Sequence, residues 1–248
     1  MTGSAPCEKL SWDSEFFGLS IARAVLSRVD EADCEAMLAW CRDHRIDCLY
    51  FLCPIAETAT QRLLADADFH LVDVRVTLVR PAETGRGDVR GRTRAATEDD
   101  ILDLREIALT AHRDARFHAD GRFDPARCDE LYATWIEKSV RGYADHVIVA
   151  DRDNSAVGYV TIHLPRAGED SRMARIGLVG VHEQWRNHGI GRDLLRSAAD
   201  TIRTSDVTAT TIATSGKNVA ALRLYKSEGF GTTDVALWYH RWFGDRRR

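Results

Sequence analysis

The stretch Gly177-Leu178-Val179-Gly180-Val181-His182-Glu183-Gln184-Trp185-Arg186-Asn187-His188-Gly189-Ile190-Gly191 decides how this chain is read. It begins as the end of an apolar run and closes in a glycine-containing turn. A helix pattern follows at once. Ile190, Leu194, Ala198 and Ile202 recur every four residues, with Leu195 and Ala199 beside them, which gives one apolar stripe. A strand that stops and a helix that starts on such a turn form an anion cradle, because the first-turn N–H groups lack intrahelical partners and the helix dipole is positive there. Gly189 and Gly191 would let the backbone approach a bulky phosphate with no Cβ in the way. Arg186 adds a positive charge at the mouth. Two familiar phosphate loops do not fit: no Lys-Ser/Thr follows the glycines, and the third glycine and downstream acid of a dinucleotide fold are missing.

Working outward, 248 residues allow one large or two small domains. A hydrophobic content of 44% beside 29% charged residues is ordinary for a globular protein with a real core. The net charge of −4 asks for no nucleic acid. Arg246-Arg247-Arg248 is too short to be a binding arm. No apolar run reaches about 18 residues, so no membrane span is expected. Met1 to Glu8 lacks the basic and apolar parts of a signal peptide, so a cytoplasmic protein is expected. The six cysteines, Cys7, Cys34, Cys41, Cys48, Cys53 and Cys128, contain no Cys-x-x-Cys pair. Cys41 and His44 have no second pair to complete a metal site. No metal is expected, and the cysteines read as small core residues.

The chain is α/β. A strand near residues 19–26, a helix from Asp30 or Glu31 to about His44, the apolar strand Cys48–Cys53, a helix over Thr58–Ala67 and a strand over Phe69–Val79 make a small β-α-β-α-β unit, residues 1–81. The polar, glycine-containing segment 82–92 reads as a linker to a second domain, 93–248. There Thr97 and Asp100 form a capping-box pattern, and Asp124-Pro125 opens another helix. Strands follow at His146–Ala150, Ala156–Leu164 and Ala174–Val181. After the glycine turn come its helix, a strand over Val207–Ala213, a helix that Asn218 caps, and the aromatic strand Ala236–Phe243. That last strand is either an edge open to a second subunit, which would make a homodimer, or buried within one.

Arg186-x-x-Gly189-x-Gly191 resembles the pyrophosphate loop of the GCN5-related N-acetyltransferase (GNAT) superfamily, and Asn218-x-x-Ala221-x-x-x-Tyr225-x-x-x-Gly229-Phe230 resembles its last signature. The resemblance implies a GNAT fold with a mixed central sheet and acetyl-CoA as co-substrate. Leu10-Ser11-Trp12-x-x-x-Phe16-Phe17-Gly18, Arg116-Phe117, Tyr132-x-x-Trp135-Ile136 and Ala174-Arg175-Ile176-Gly177-Leu178 are similar to the bacterial dTDP-fucosamine acetyltransferases. That closer likeness implies acetylation of the 4-amino group of a dTDP-4-amino-4,6-dideoxy-galactose, a nucleotide sugar used for cell-surface polysaccharide. Two departures stand out: Asn187 and His188 follow the loop Arg where many members carry glycine, and residues 81–92 match nothing in the family.

By this resemblance, Leu178, Val179 and Val181 pair with the pantetheine amides, and the Val179 N–H is a candidate oxyanion donor. Arg186, Asn187, His188, Gly189, Ile190, Gly191 and Arg192 take the pyrophosphate, mainly through backbone N–H groups, and Asn218 adds a contact. Tyr225, with an ordinary pKa near 10, is protonated at neutral pH and suits a general acid for the departing sulfur. The strand Ala174–Val179 holds no carboxylate, so the base stays open among water, a backbone carbonyl, His163 and His118. Residues 112–135 form the expected acceptor wall, with Arg116 for a diphosphate and Phe117 or Trp135 for a ring. Two alternatives remain: a GNAT acting on another amine, and a non-catalytic acyl-CoA-binding module.

Overall fold

The computed structural model describes residues 5–82, 88–166 and 172–244. The first segment runs β1 (Cys7–Lys9), α1 (Ser11–Phe17), β2 (Ile21–Ala24), α2 (Glu31–Asp43), β3 (Cys48–Pro54), α3 (Thr58–Asp66) and β4 (His70–Pro81). Then follow β5 (Thr93–Ala95), α4 (Ile101–Ala111), the single turn α5 (Arg116–Ala119), α6 (Pro125–Lys138), β6 (His146–Arg152), β7 (Ser155–His163) and β8 (Met173–Val181). The chain ends with α7 (Ile190–Arg203), β9 (Ala209–Ser215), α8 (Val219–Ser227) and β10 (Gly231–Trp242). No helix among the described residues is long and apolar enough to cross a membrane.

Local rules explain most boundaries. Asp30 and Asp33 close a capping box at the head of α2, satisfying two donors that the helix leaves unpaired. Thr97 and Asp100 do the same before α4. Asp124 accepts the Arg127 N–H, with Pro125 in the first turn of α6. In α7 the apolar stripe Ile190, Leu194, Leu195, Ala198, Ala199 and Ile202 is buried. All six cysteines are free and buried. Cys34, Met37 and Cys41 face the core from α2.

The strands form one mixed sheet in the order β1-β2-β3-β10-β4-β9-β8-β7-β6-β5. β10 lies antiparallel between β3 and β4, pairing Ala236–Trp242 with Pro54–Cys48 on one side and Gly231–His240 with Val79–His70 on the other. The aromatic last strand is therefore interior and has no free edge for a second copy. Through it, segment 1–81 and segment 93–248 share a single sheet. β1 and α1 precede the first strand read from the sequence. A seven-residue helix is too short to show a period, and Gly18, at φ 65°, ends it in the left-handed region.

Part of the segment read as a linker is pinned. The buried Asp193 on α7 accepts the N–H groups of Arg90 and Gly91 at 3.1 and 3.0 Å. Residues 83–87 of that segment lie outside the described residues. Leu237 on β10 packs into the core formed by α2, β3 and α3. Leu237→Ala should cost about 2–5 kcal/mol in urea unfolding. Because β10 knits both halves together, we expect far-UV and near-UV signals to shift their midpoints together, and separate shifts would refute that coupling.

Candidate active site

The site grows from a partial strand pairing. β8 and β9 run parallel only from Met173–Ile176 against Ala209–Ile212. Beyond that, β8 stays with β7, pairing Val179 with Val160 and Val181 with Gly158. β9 stays with β4, pairing Ala213–Ser215 with Thr77–Arg75. The two strands part and open a cleft between them. The Leu178 N–H donates to Thr161 Oγ1 at 2.8 Å and the His182 N–H to the Val157 carbonyl at 3.0 Å, both toward β7. Strand alternation therefore turns the main-chain groups of Val179 and Val181 toward the cleft. Leu178 gives its side chain to the cleft, while its N–H is held by β7.

The glycine turn closes the rail. After Val181 comes a 3₁₀ turn, Glu183–Trp185, which His182 caps through Nδ1. The Arg186 Nε donates to the Val181 carbonyl at 3.3 Å, and His188 Nδ1 donates to the Arg186 carbonyl at 2.8 Å. Asn187 has φ 65° and Gly189 φ 83°. The departure from glycine at 187 is thus filled by asparagine, a residue tolerant of left-handed backbone. Gly189 caps α7 and its carbonyl receives the Arg192 and Asp193 N–H groups. The Ile190 and Gly191 N–H groups take no acceptor among the described residues, which leaves the anion cradle free. Gly191 also meets a packing demand. A Cβ there would meet Leu224 at 2.9 Å, so its lack of a side chain admits α8 against α7. The Arg192 Nε is paired with the buried Glu228 at 2.9 Å, and its main-chain N–H is already given to the Gly189 carbonyl.

A cavity of about 270 Å³ lies at the base of the cleft. It gathers Leu178, Val179, Asn218 and Tyr225 from one side and Arg116, Phe117 and Trp135 from the other. Asn218 caps α8 by accepting the Ala221 N–H at 3.0 Å. Tyr225 is 6% exposed, and burial pushes its hydroxyl well above the usual phenol range. Phe117 sits in an aromatic cluster with Phe17, Tyr50 and Phe123, and Trp135 packs on Trp12. The opening helix α1 thus buttresses this side of the cavity. His112, also lining the cavity, shares a 2.8 Å hydrogen bond with the Tyr159 hydroxyl, and burial drives its pKa down to about 4. Neither His118 nor His163 lines this cavity; His118 Nε2 is paired with Asp129 at 2.8 Å.

A carboxylate does line the cavity, from β4. Asp73 lines the cavity and is 7% exposed. The Val74 N–H, at 2.8 Å, and the Ser215 hydroxyl, at 2.6 Å, both donate to its Oδ1. Its Oδ2 has no hydrogen bond within the described residues. Burial raises the Asp73 pKa above the usual carboxylate value, against those hydrogen bonds. Arg75, two residues on and on the same face, also lines the cavity and makes no ion pair among the described residues. The signal was in the sequence: an otherwise apolar strand carries Asp73, Arg75 and Thr77 at period two, and a polar face on an interior strand needs a wet cavity beside it.

A mixed sheet parted between parallel neighbours, with a glycine turn and helix N-terminus at the end of the parting strand, is the architecture of an acyl-CoA-dependent transferase. Residues 103–230 match the Acetyltransferase (GNAT) family. The chain is 30% identical to a dTDP-fucosamine acetyltransferase of Escherichia coli, over 96% of this chain and 98% of that one. A GCN5-related N-acetyltransferase from Kribbella flavida has the same fold at a TM-score of 0.65 with 15% identity, covering 99% of this chain and 90% of that one. One from Sphaerobacter thermophilus scores 0.65 at 16% identity, covering 95% and 76%. The chain belongs to the GNAT family and is an acetyl-CoA-dependent N-acetyltransferase.

Asn187→Gly keeps the backbone that the turn requires, so the KM for acetyl-CoA should stay within about twofold. Asn187→Ile puts a β-branched residue at positive φ, at about 1–3 kcal/mol, and should raise that KM roughly tenfold. Equal KM values for the two variants would show that the turn's backbone does not matter to the cofactor.

Proposed function

We propose that this protein acetylates the 4-amino group of a dTDP-4-amino-4,6-dideoxy-sugar, a reading supported by its likeness to an Escherichia coli protein named as a dTDP-fucosamine acetyltransferase. The observation that carries this reading is the extent of the likeness. It spans the N-terminal segment as well as the transferase region, and that segment supplies Asp73, Arg75 and the rings behind the acceptor wall. Arg116 and Arg75 line the cavity free of ion pairs, which suits a diphosphate. Trp135 and Phe117 suit a thymine or sugar face.

Acetyl-CoA fits the parted strands. The cleft-facing main chain of Val179 and Val181 can pair with pantetheine amides, and the free Ile190 and Gly191 N–H groups with the pyrophosphate. When bound, it supplies an activated acetyl thioester. Asp73 Oδ2, the unbonded oxygen of a buried carboxylate, takes the proton that the acceptor amine loses as its nitrogen bonds to the carbonyl carbon. The Val179 N–H donates to the carbonyl oxygen as charge gathers there, an interaction worth about 3 kcal/mol. The Tyr225 hydroxyl gives its proton to the sulfur as the C–S bond breaks. Burial holds that proton on the phenol at all working pH values.

Incubation with acetyl-CoA and a panel of amines should release free thiol fastest with the dTDP-4-amino sugar. Faster turnover of a peptide or an aminoglycoside would overturn the acceptor assignment. Tyr225→Phe should lower kcat by about 10²-fold or more with little change in acetyl-CoA affinity. A base must be deprotonated to work, so activity should fall as pH drops through the Asp73 pKa, which lies above the ordinary carboxylate value. Asp73→Asn should lower kcat about 10²-fold and remove that acidic limb. An unchanged limb in Asp73→Asn would assign the base to another group.

A further inference from the structure

Arg116 is held in an unusual way. Its guanidinium carbon lies 4.3 Å from the Tyr50 ring centroid, 4.3 Å from that of Phe117 and 4.2 Å from that of Trp238. No carboxylate pairs with it among the described residues. Its one side-chain hydrogen bond there runs from Nη1 to His240 Nε2, at 3.3 Å. His240 is fully buried on β10, stacked on Tyr50 at 4.5 Å. Its other nitrogen, Nδ1, is bonded to Asp120 Oδ2. The Trp242 indole N–H also donates to Asp120, at 3.0 Å. Asp120 follows α5 directly, and its N–H donates to the Arg116 carbonyl at 3.1 Å. Arg116 and Asp120 therefore grip His240 from the two ends of one helical turn.

The donors settle the protonation. A guanidinium only donates, so His240 Nε2 must be bare to accept from it. A neutral imidazole then carries its hydrogen on Nδ1, which donates to the Asp120 carboxylate. Burial supports this state by pushing the His240 pKa down to about 4. The arrangement runs carboxylate, imidazole, guanidinium, cavity. It fixes where Arg116 sits without a direct ion pair, so the guanidinium charge stays open to an anion.

We propose that Asp120 and His240 are positioning residues that lock Arg116, through the Nδ1–H tautomer of His240, as the receptor for the anionic diphosphate of the acceptor. This rests on the nucleotide-sugar reading of the site. Its first half, the lock, does not depend on that reading.

Two measurements separate the halves. Long-range ¹H–¹⁵N spectra of the full chain at pH 7 should show His240 as the Nδ1–H tautomer, and Asp120→Ala should shift it toward Nε2–H. An Nε2–H tautomer or an imidazolium in the unaltered protein overturns the lock, whatever the acceptor. Calorimetric titration with dTDP alone then tests the role. His240→Leu should weaken dTDP binding about tenfold, as expected for one lost charge-assisted hydrogen bond. His240→Gln can still accept from Arg116 and donate to Asp120, and should stay within about threefold of the unaltered protein. In turnover, the loss in His240→Leu should fall on the acceptor KM, with kcat and the acetyl-CoA KM held. Equal dTDP affinity in both variants, or a loss confined to kcat, overturns the positioning role. Absence of dTDP binding in the unaltered protein, beside an Nδ1–H tautomer, removes the nucleotide-sugar reading and with it the assigned ligand, while the lock stands.

Discussion

The parting of β8 from β9 is the constraint on which the rest of the structure depends. Two parallel strands in mid-sheet share four residues of register and then diverge. Main-chain donors and acceptors inside a protein demand partners. Along the diverging stretch they are supplied on the outer sides only, by β7 and by β4. The inner side of Val179 and Val181 is left to the cleft. A site made this way is specific for an extended amide-bearing chain, because it offers what a missing strand would have offered. The same divergence sets Asn218 and Tyr225, which follow β9, across the gap from β8.

Keeping such a gap open requires the sheet to be strong on either side of it. β10 provides this on the β9 side, closing β3 to β4 with long antiparallel ladders. It also brings the N-terminal segment to the active site, since Asp73 stands on the strand it pairs with and Trp238 and His240 stand on β10 itself. The first 81 residues therefore contribute to the cavity, and the likeness to the Escherichia coli relative runs nearly end to end.

What could be read beforehand was what local rules control. The period of Ile190, Leu194, Ala198 and Ile202, the caps at Asp30, Thr97 and Asn218, and the glycine turn are all written within a few residues of one another. What escaped was what distant segments decide together. Asp73 acquires its meaning from Ser215, 142 residues away. Arg192 is committed to Glu228, and Gly191 to the approach of Leu224, neither of which the Arg-x-x-Gly-x-Gly spacing reveals. The interior place of β10 is likewise a fact of topology, because an aromatic strand reads alike at an edge and in the middle.

The cavity's chemistry then follows from one physical effect applied to two kinds of acid. Burial penalises the charged form of both Asp73 and Tyr225, and raises both pKa values. In the proposed mechanism this leaves the tyrosine with a proton to give. For the aspartate it makes the anion a stronger base than an exposed carboxylate, while the Ser215 and Val74 hydrogen bonds keep the anion accessible. Both donors fall on Oδ1, so the basicity gained by burial is presented on Oδ2. A donor and an acceptor of protons in one cavity need no charged neighbours to differ. Their starting pKa values, about 10 and about 4, already lie on opposite sides of neutrality. A common upward shift moves the carboxylate toward neutral pH, where the proposed mechanism would use it as a base, and the phenol further from the pH at which it would lose its proton.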